Sequence, residues 1–338
     1  MPIDPRRMTG LPRRRFLGIS AAVAGLGLLP LAGAARADTR MVEWQGVALG
    51  AQASIRIHHH DAEAAGQALR LVLQDIRRLE AVFSLYRDDS ALSELNRRGS
   101  LVAPATELVE LLQASQSYAA LTDGAFDPSI QPLWLLYRRH FAKPAAAPEG
   151  PGRAETEAAL QSVGLDHVLV SRDRIAFRRP GMALSLNGIA QGYITDRVIE
   201  RLREYGIEHT LVDMGESRAL GHHPDGRPWQ AAIAGVDDAM SQGLIVPLTD
   251  EALATSGSDG FRFDAAGRFH HIFDPRTGYS PQRYRSVSVI MPTAMAADAL
   301  STAFAIMAPS AIHGVLSRLG AGRAHLVTAE GQTVTLST

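Results

Sequence analysis

The sequence contains no cysteine. Disulfide frameworks, Cys-based zinc fingers, iron–sulfur clusters and thiol nucleophiles are therefore excluded. Lysine is almost as scarce: Lys143 is the only one among 34 Lys+Arg. That leaves little room for Schiff-base chemistry or a P-loop lysine. No basic tract stands out, and 35 Asp+Glu bring the formal charge to −1, so nucleic acid is not the expected partner. No apolar run approaches the ~20 residues that a membrane-spanning helix needs. What remains is a chain of 338 residues, 46% hydrophobic, long enough to bury a sizeable core.

The first 37 residues read as an address. Arg13-Arg14-Arg15-Phe16-Leu17 precedes the apolar run Ile19 to Leu31, and Ala35-Arg36-Ala37 supplies small residues at a cleavage site. A basic region, an apolar region and an A-x-A site make a secretory signal. Paired arginines before Phe-Leu give it the look of a twin-arginine signal. The expected domains are a signal over 1–37 and one domain over 38–338, exported to the periplasm with no stable membrane span. Cleavage after Ala37 removes six Arg and one Asp, leaving 301 residues with a formal charge of −6.

Along the rest of the chain, Val42 to Ile57 alternates and reads as strand. Leu69, Val72, Leu73, Ile76 and Leu79 recur at helical spacing and predict an amphipathic helix over Ala62 to Val82. Further helices are expected at Glu107 to Leu121, Glu155 to Val163, Gly188 to Tyr205, Ala294 to Ala308 and Ala311 to Leu319. Short strands are expected at Val168–Ser171, Ile175–Arg178, Met182–Leu186, Thr210–Asp213, Arg218–Leu220, Gln230–Ala234, Leu244–Leu248 and Ser286–Met291, with another strand at the end. Phe261–Phe263 and Phe269–Phe273 read as a hairpin. No regular βαβ alternation appears, so the fold class is α+β with mixed sheets and packed helices.

Four clusters carry chemistry-bearing residues. In the late helix, Asp298 and Thr302 are four apart and share a face. Their neighbours are apolar, and a buried carboxylate needs a partner. A hard cation such as Mg²⁺ is one; an exposed Asp with a back-bonded Thr is the plainer alternative. Ser185-Leu186-Asn187-Gly188-Ile189-Ala190-Gln191-Gly192-Tyr193 carries a strand into a helix N-terminus, an end suited to phosphate, or simply a tight turn. His270-His271 followed by Asp274-Pro275-Arg276-Thr277-Gly278 joins acid–base side chains to a turn. Asp123-Gly124-Ala125-Phe126-Asp127-Pro128, with Tyr86 upstream, offers rings and a carboxylate to a flat ligand, though turn and core roles explain it as well. His58-His59-His60 and His222-His223 read as polar loop residues.

Taken in order, these clusters resemble the ApbE family, the FAD:protein FMN transferases. The blocks are Phe83-Ser84-x-Tyr86, Ser90, Leu95-Asn96, Asp123 to Pro128, Asn187-Gly188-Ile189-Ala190-x-Gly192-Tyr193, Ala254-Thr255-Ser256-Gly257, His271-Ile272-x-Asp274-Pro275-Arg276-Thr277-Gly278, and Pro292-Thr293-Ala294-x-x-Ala297-Asp298-Ala299-Leu300-x-Thr302. The resemblance implies an ApbE-like, T-fold-related domain. It implies an enzyme that cleaves FAD, moves FMN through a phosphoester onto a Thr or Ser of a target protein and releases AMP. It also implies Mg²⁺ on Asp298, Thr302 and the Gly188 carbonyl. The implied flavin contacts are Leu49, Tyr86, Ala125, Phe126, Asp127, Ser185, Gln191 and Ile272, and His271 matches a transfer-step histidine. Departures fall at Gln191, where Lys or Glu is usual, at Ser185, where Asp is usual, and at Leu49-Gly50-Ala51, where the family has Met-Gly-Thr. Asn-Gly-Ile-Ala-Gln-Gly-Tyr with a twin-arginine signal resembles the NosX subgroup, whose target would be NosR.

The chemistry expected is phosphoryl transfer, in which positioning and charge neutralisation dominate. His271 would take the proton of the incoming hydroxyl, with Asp274 orienting it. A FAD pyrophosphatase using the same residues and a non-catalytic flavin-binding maturation factor are the alternatives.

Overall fold

The strongest helical pattern gives the longest helix. Asp61 caps it by accepting from the Glu63 and Ala64 amides, and α1 then runs over Ala62–Phe83. Its buried face carries Leu69, Val72, Ile76 and Leu79, each worth ~1.5–3 kcal/mol when fully withdrawn from water. The structure is a computed structural model and describes residues 40–233 and 244–338. The expected leader over 1–37 and the last residue of the Gln230–Ala234 strand lie outside the described residues.

Before α1, a strand hairpin replaces the single strand expected. β1 (Arg40–Ala48) pairs antiparallel with β2 (Ala51–His59). Their two-residue turn is Leu49-Gly50, both at positive φ, 48° and 84°. That is the backbone of a type I′ turn, normally signalled by Asn-Gly. Leu in the left-handed region is what hid it. His58 and His59 belong to β2 rather than to a loop.

Two helices follow α1: α2 (Ala91–Arg98) and α3 (Thr106–Leu121), with the short strand β3 (Ser100–Val102) between them. α4 (Gln131–Phe141) and α5 (Arg153–Leu160) precede β4 (Val168–Val170) and β5 (Arg174–Phe177). The segment Met182–Leu186 is not a strand. It runs extended with an amide side chain beside it: Asn96 Nδ2 donates to the Leu184 carbonyl at 2.9 Å and the Leu184 amide donates back to Asn96 Oδ1 at 2.7 Å.

α6 (Ala190–Glu204) leads to β6 (His209–Asp213), β7 (Ser217–Leu220), β8 (Trp229–Ile233), β9 (Leu244–Leu248) and β10 (Ala252–Gly257). β11 (Tyr284–Met291), α7 (Ala294–Phe304), α8 (Pro309–Leu319), β12 (Arg323–Thr328) and β13 (Thr333–Ser337) complete the chain. The main sheet has eight strands in the order β1-β2-β6-β7-β10-β11-β12-β13, and every pair in it is antiparallel. Two small sheets, β3-β5-β4 and β8-β9, stand apart. The α+β class holds. Among the described residues, no helix is long and apolar enough to cross a membrane.

The core lies between the main sheet and α1, α6 and α7. α6 and α7 cross with almost no separation. A Cβ on Gly192 would overlap the Ala294 carbonyl and sit 2.7 Å from Met295 Cα, so only glycine lets the helices meet there. The N-terminus of α7 is capped twice. Thr293 accepts from the Ala296 amide, and the Asp196 carboxylate accepts from the amides of Ala294 and Met295 at 2.8 and 3.0 Å. Asp196 is itself ion-paired with buried Arg218.

A satellite cluster of Leu133, Tyr137, Val163 and Phe273 holds α4 against the 259–279 loop. Trp134, Phe261, Phe263 and Phe269 pack around it: between ring centroids Phe261 and Phe263 lie 5.0 Å apart, Trp134 lies 5.8 Å from each, and Phe269 lies 5.5 Å from Tyr137. The hairpin expected here is one isolated bridge, Arg262 to His270. Aromatic packing, rather than a strand ladder, shapes this loop.

Candidate active site

A cleft of 430 Å³ opens where the β1–β2 turn, the 125–131 segment, the approach to α6, the β6–β7 turn, the end of β10, the 259–275 loop and α7 converge. That volume falls within the range of small-molecule sites. Of the expected metal, flavin and transfer residues, all line it except Leu49 and Asp274.

Leu49 sits in the β1–β2 turn, where its amide donates to Glu80 Oε1 at 2.6 Å; Ala51 and Gln52 present that turn to the cleft. Asp274 is a correction to the expected His–Asp pair. Its carboxylate accepts two hydrogen bonds from the Arg276 guanidinium, at 2.9 and 2.8 Å, and one from the Arg276 amide. It closes the turn as an Asx motif. His271 instead turns Nδ1 to the backbone of Phe261, 3.3 Å from both its amide and its carbonyl. The other face of the ring lies against Gly260, where a Cβ would approach His271 Cε1 to 2.8 Å. Burial, and then the charge of His270, push His271 down to about 4, so its imidazole is neutral at pH 7. His270 is a core residue, its Nε2 2.7 Å from the Pro281 carbonyl.

The flavin-side expectations divide. Tyr86 is 61% exposed at the mouth, and its hydroxyl accepts from Asn187 Nδ2 at 3.2 Å. An exposed ring held at a cleft mouth suits a flat ligand. Phe126 is buried and packs edge-on against Tyr118. The Asp127 carboxylate is engaged by the fold. Oδ1 accepts from the amide and hydroxyl of Ser129, and Oδ2 from the Leu165 amide. Burial still raises it above the usual carboxylate range. Ala125 and Ile272 are buried wall residues. The Ser185 amide donates to the Pro128 carbonyl, and Gln191 Nε2 donates to the Met214 carbonyl at 3.0 Å.

The expected anion-binding helix end is partly spent. The Ala190 amide bonds the Leu186 carbonyl, and the Gly192 amide donates to Asp298 Oδ2 at 3.1 Å. Asp298 is 4% exposed, and burial drives it above the ordinary carboxylate range. Gly188 and Thr302 meet closely: a Cβ at Gly188 would lie 2.8 Å from Thr302 Oγ1. Carboxylate, hydroxyl and carbonyl oxygens are the donors a hard cation takes. Among the described residues, no group of three His, Cys, Asp or Glu is gathered to hold a metal.

Trp134, Arg138 and Glu216 are among the lining residues that escaped the sequence reading. Trp134 and Arg138 sit on α4, whose pattern was too short to stand out; the guanidinium of Arg138 lies 5.0 Å from the Trp134 ring centroid. Glu216, in the β6–β7 turn, is a buried carboxylate. Two acidic residues flanking a glycine in Asp213-Met214-Gly215-Glu216 were its only signal.

The ApbE family model matches residues 49–325. The chain belongs to the ApbE family. It is similar to the FAD:protein FMN transferase of Vibrio cholerae serotype O1, 32% identical over 295 residues, covering 84% of this chain and 86% of that protein. The FAD:protein FMN transferase of Haemophilus influenzae is 27% identical over 307 residues, covering 86% and 87%. The apo structure of the flavinyl transferase ApbE from Pseudomonas stutzeri superposes with a TM-score of 0.73 at 28% identity, covering 89% of this chain and 94% of that one. The ApbE match ends inside β12, so the cleft lies wholly within it.

Proposed function

We propose that this ApbE-family chain is a Mg²⁺-dependent FAD:protein FMN transferase. The observation that carries the proposal is the convergence on one cleft of residues from stretches spread along the chain from Ala51 to Thr302, with an exposed ring at its mouth and oxygen donors at its base. FAD would lie along the cleft with a ring against Tyr86 and its pyrophosphate near Asp298, Thr302 and Gly188. Those three residues would hold Mg²⁺, which supplies Lewis-acid polarisation and offsets the charge that builds on the phosphates.

A Thr or Ser hydroxyl of the acceptor protein attacks the FMN phosphorus. The new O–P bond forms as the P–O bond to AMP breaks. His271, neutral at pH 7, accepts the hydroxyl proton, and AMP leaves with the electron pair. The Phe261 backbone, not Asp274, sets the orientation of the ring.

The chain would act in the periplasm after twin-arginine export, with an exported acceptor protein. The likeness of residues 187–193 to the NosX subgroup makes NosR the first acceptor to try.

The test is a gel assay. The purified protein is incubated with FAD, Mg²⁺ and the acceptor, with and without EDTA, then denatured. A fluorescent acceptor band that EDTA abolishes is the expected result. FAD left intact overturns the reading, and free FMN with AMP and a dark acceptor band redirects it to a FAD pyrophosphatase.

A further inference from the structure

The cleft holds a buried acidic group, Glu216, that has an unpartnered oxygen and no place in the proposed chemistry. Glu216 projects from the β6–β7 turn, where Gly215 at φ 100° reverses the chain. The residue is 7% exposed and lines the cleft together with Asp298. Its Oε2 is buried and has no hydrogen-bond partner. Among the described residues, no arginine or lysine is ion-paired with Glu216 or with Asp298, although buried Arg218 is only two residues away and is committed to Asp196.

Two buried carboxylates facing one space, one with an orphaned oxygen, are strongly unfavourable if both are ionised and unpaired. A purely structural acid would have found a donor, as Asp127 and Asp196 do. Three of the Asp298 surroundings are likewise oxygen-rich: Thr302, the Gly188 backbone and Ser256, whose hydroxyl lies 3.4 Å from Thr302 Oγ1. A divalent cation is the partner that neutralises two carboxylates at once, and Mg²⁺ commonly takes one or two.

We propose that Glu216 is a further ligand of the divalent cation in this cleft, so that the site carries two carboxylates. The proposal rests on the cation reading of Asp298, Thr302 and Gly188. Its consequence is order. A site with two carboxylates binds the cation from solution before FAD arrives, whereas a one-carboxylate site waits for the phosphates to complete it.

The test uses no FAD and reads no turnover. Purified protein, stripped with EDTA, is titrated with Mn²⁺ and the free ion is followed by its electron paramagnetic resonance signal. The wild type is expected to bind one Mn²⁺, with Glu216→Gln and Asp298→Asn each weakening binding at least tenfold, the lower end of what losing even an outer-shell partner costs. Thermal melts accompany the titration. Glu216→Gln is expected to melt no lower than the wild type without cation and to lose the Mn²⁺-induced rise. If Glu216→Gln does not fold, Glu216→Asp takes its place, with an expected weakening of threefold or more. A Glu216 variant that binds Mn²⁺ within twofold of the wild type, while Asp298→Asn does not, overturns the proposal and leaves the cation reading standing. If neither substitution changes Mn²⁺ binding, or the wild type binds none, both fall together.

Discussion

The amide of Gly192 donates to Asp298 Oδ2 across 3.1 Å. One glycine therefore does two things. It lets α6 and α7 touch, and it places the first helix turn against the carboxylate at the base of the cleft. Gly192→Ala adds a Cβ that overlaps the Ala294 backbone, which no rotamer relieves. We expect a loss of about 2 kcal/mol or more, in line with overpacking of a close contact. Urea denaturation of the variant checks it, and a midpoint equal to that of the wild type contradicts the close approach.

Asp298→Ala should separate chemistry from stability. The side chain is buried and its removal leaves the Gly192 amide without its acceptor, so stability should fall by about 1–3 kcal/mol while the variant still folds. Mg²⁺-dependent turnover of FAD should disappear. A folded variant with normal turnover removes Asp298 from the cation site.

His271→Ala should keep FAD affinity within about threefold and slow transfer by at least ~10²-fold, the scale of losing a general base. FAD affinity by fluorescence quenching and transfer by in-gel fluorescence give the two numbers. A variant that fails to bind FAD makes His271 a ligand contact instead.

The same histidine leaves a mark on stability. In the folded chain its pKa is lowered to about 4, while an unfolded histidine titrates near ~6.5. Between those values the unfolded chain takes up a proton that the folded chain does not. Stability is unaffected above about pH 6.5 and falls as pH drops from there toward 4, by on the order of 3 kcal/mol for this group. His270 is lowered as well, so the contrast with His271→Gln isolates the effect. Denaturation at pH 7.5 and pH 4.5 should show the wild type losing more stability than the variant; equal losses refute the buried neutral state.

Asn96→Ala removes both hydrogen bonds that hold Leu184. Leu184 is buried, so its backbone amide and carbonyl lose their partners at a cost of about 2 kcal/mol. Because that segment continues into Ser185 and Gly188, FAD affinity should weaken too. Isothermal titration and a melt test both, and an unchanged pair of values means that solvent replaces the amide.

What could be read from sequence followed the physics of each element. α1 and α3 carry several turns of periodic apolar residues, and their ends fell within a residue or two of the expectation. α2 and α4 have eight and eleven residues, too few turns for a pattern to rise above the composition. Met182–Leu186 has the residues of a strand, but its neighbour is the side chain of Asn96, which no local pattern reports. Asp298, Thr302 and His271 could be picked out because their motifs are contiguous, and all three line the cleft. The Asp274 role could not be picked out, because a carboxylate three residues from a histidine says nothing about where Arg276 will swing. Glu216 was invisible because burial of a turn residue is decided by α7, far along the chain.

Thr210 Oγ1 donates to the Arg56 carbonyl, 154 residues back in the sequence. That span is a statement about timing. During synthesis, the N-terminal hairpin waits with one edge open until β6 has left the ribosome, and α7 follows more than eighty residues later. Pairings this distant close slowly. The cleft is among the last things this chain makes, so the ligands proposed for it meet a finished protein rather than guide a nascent one.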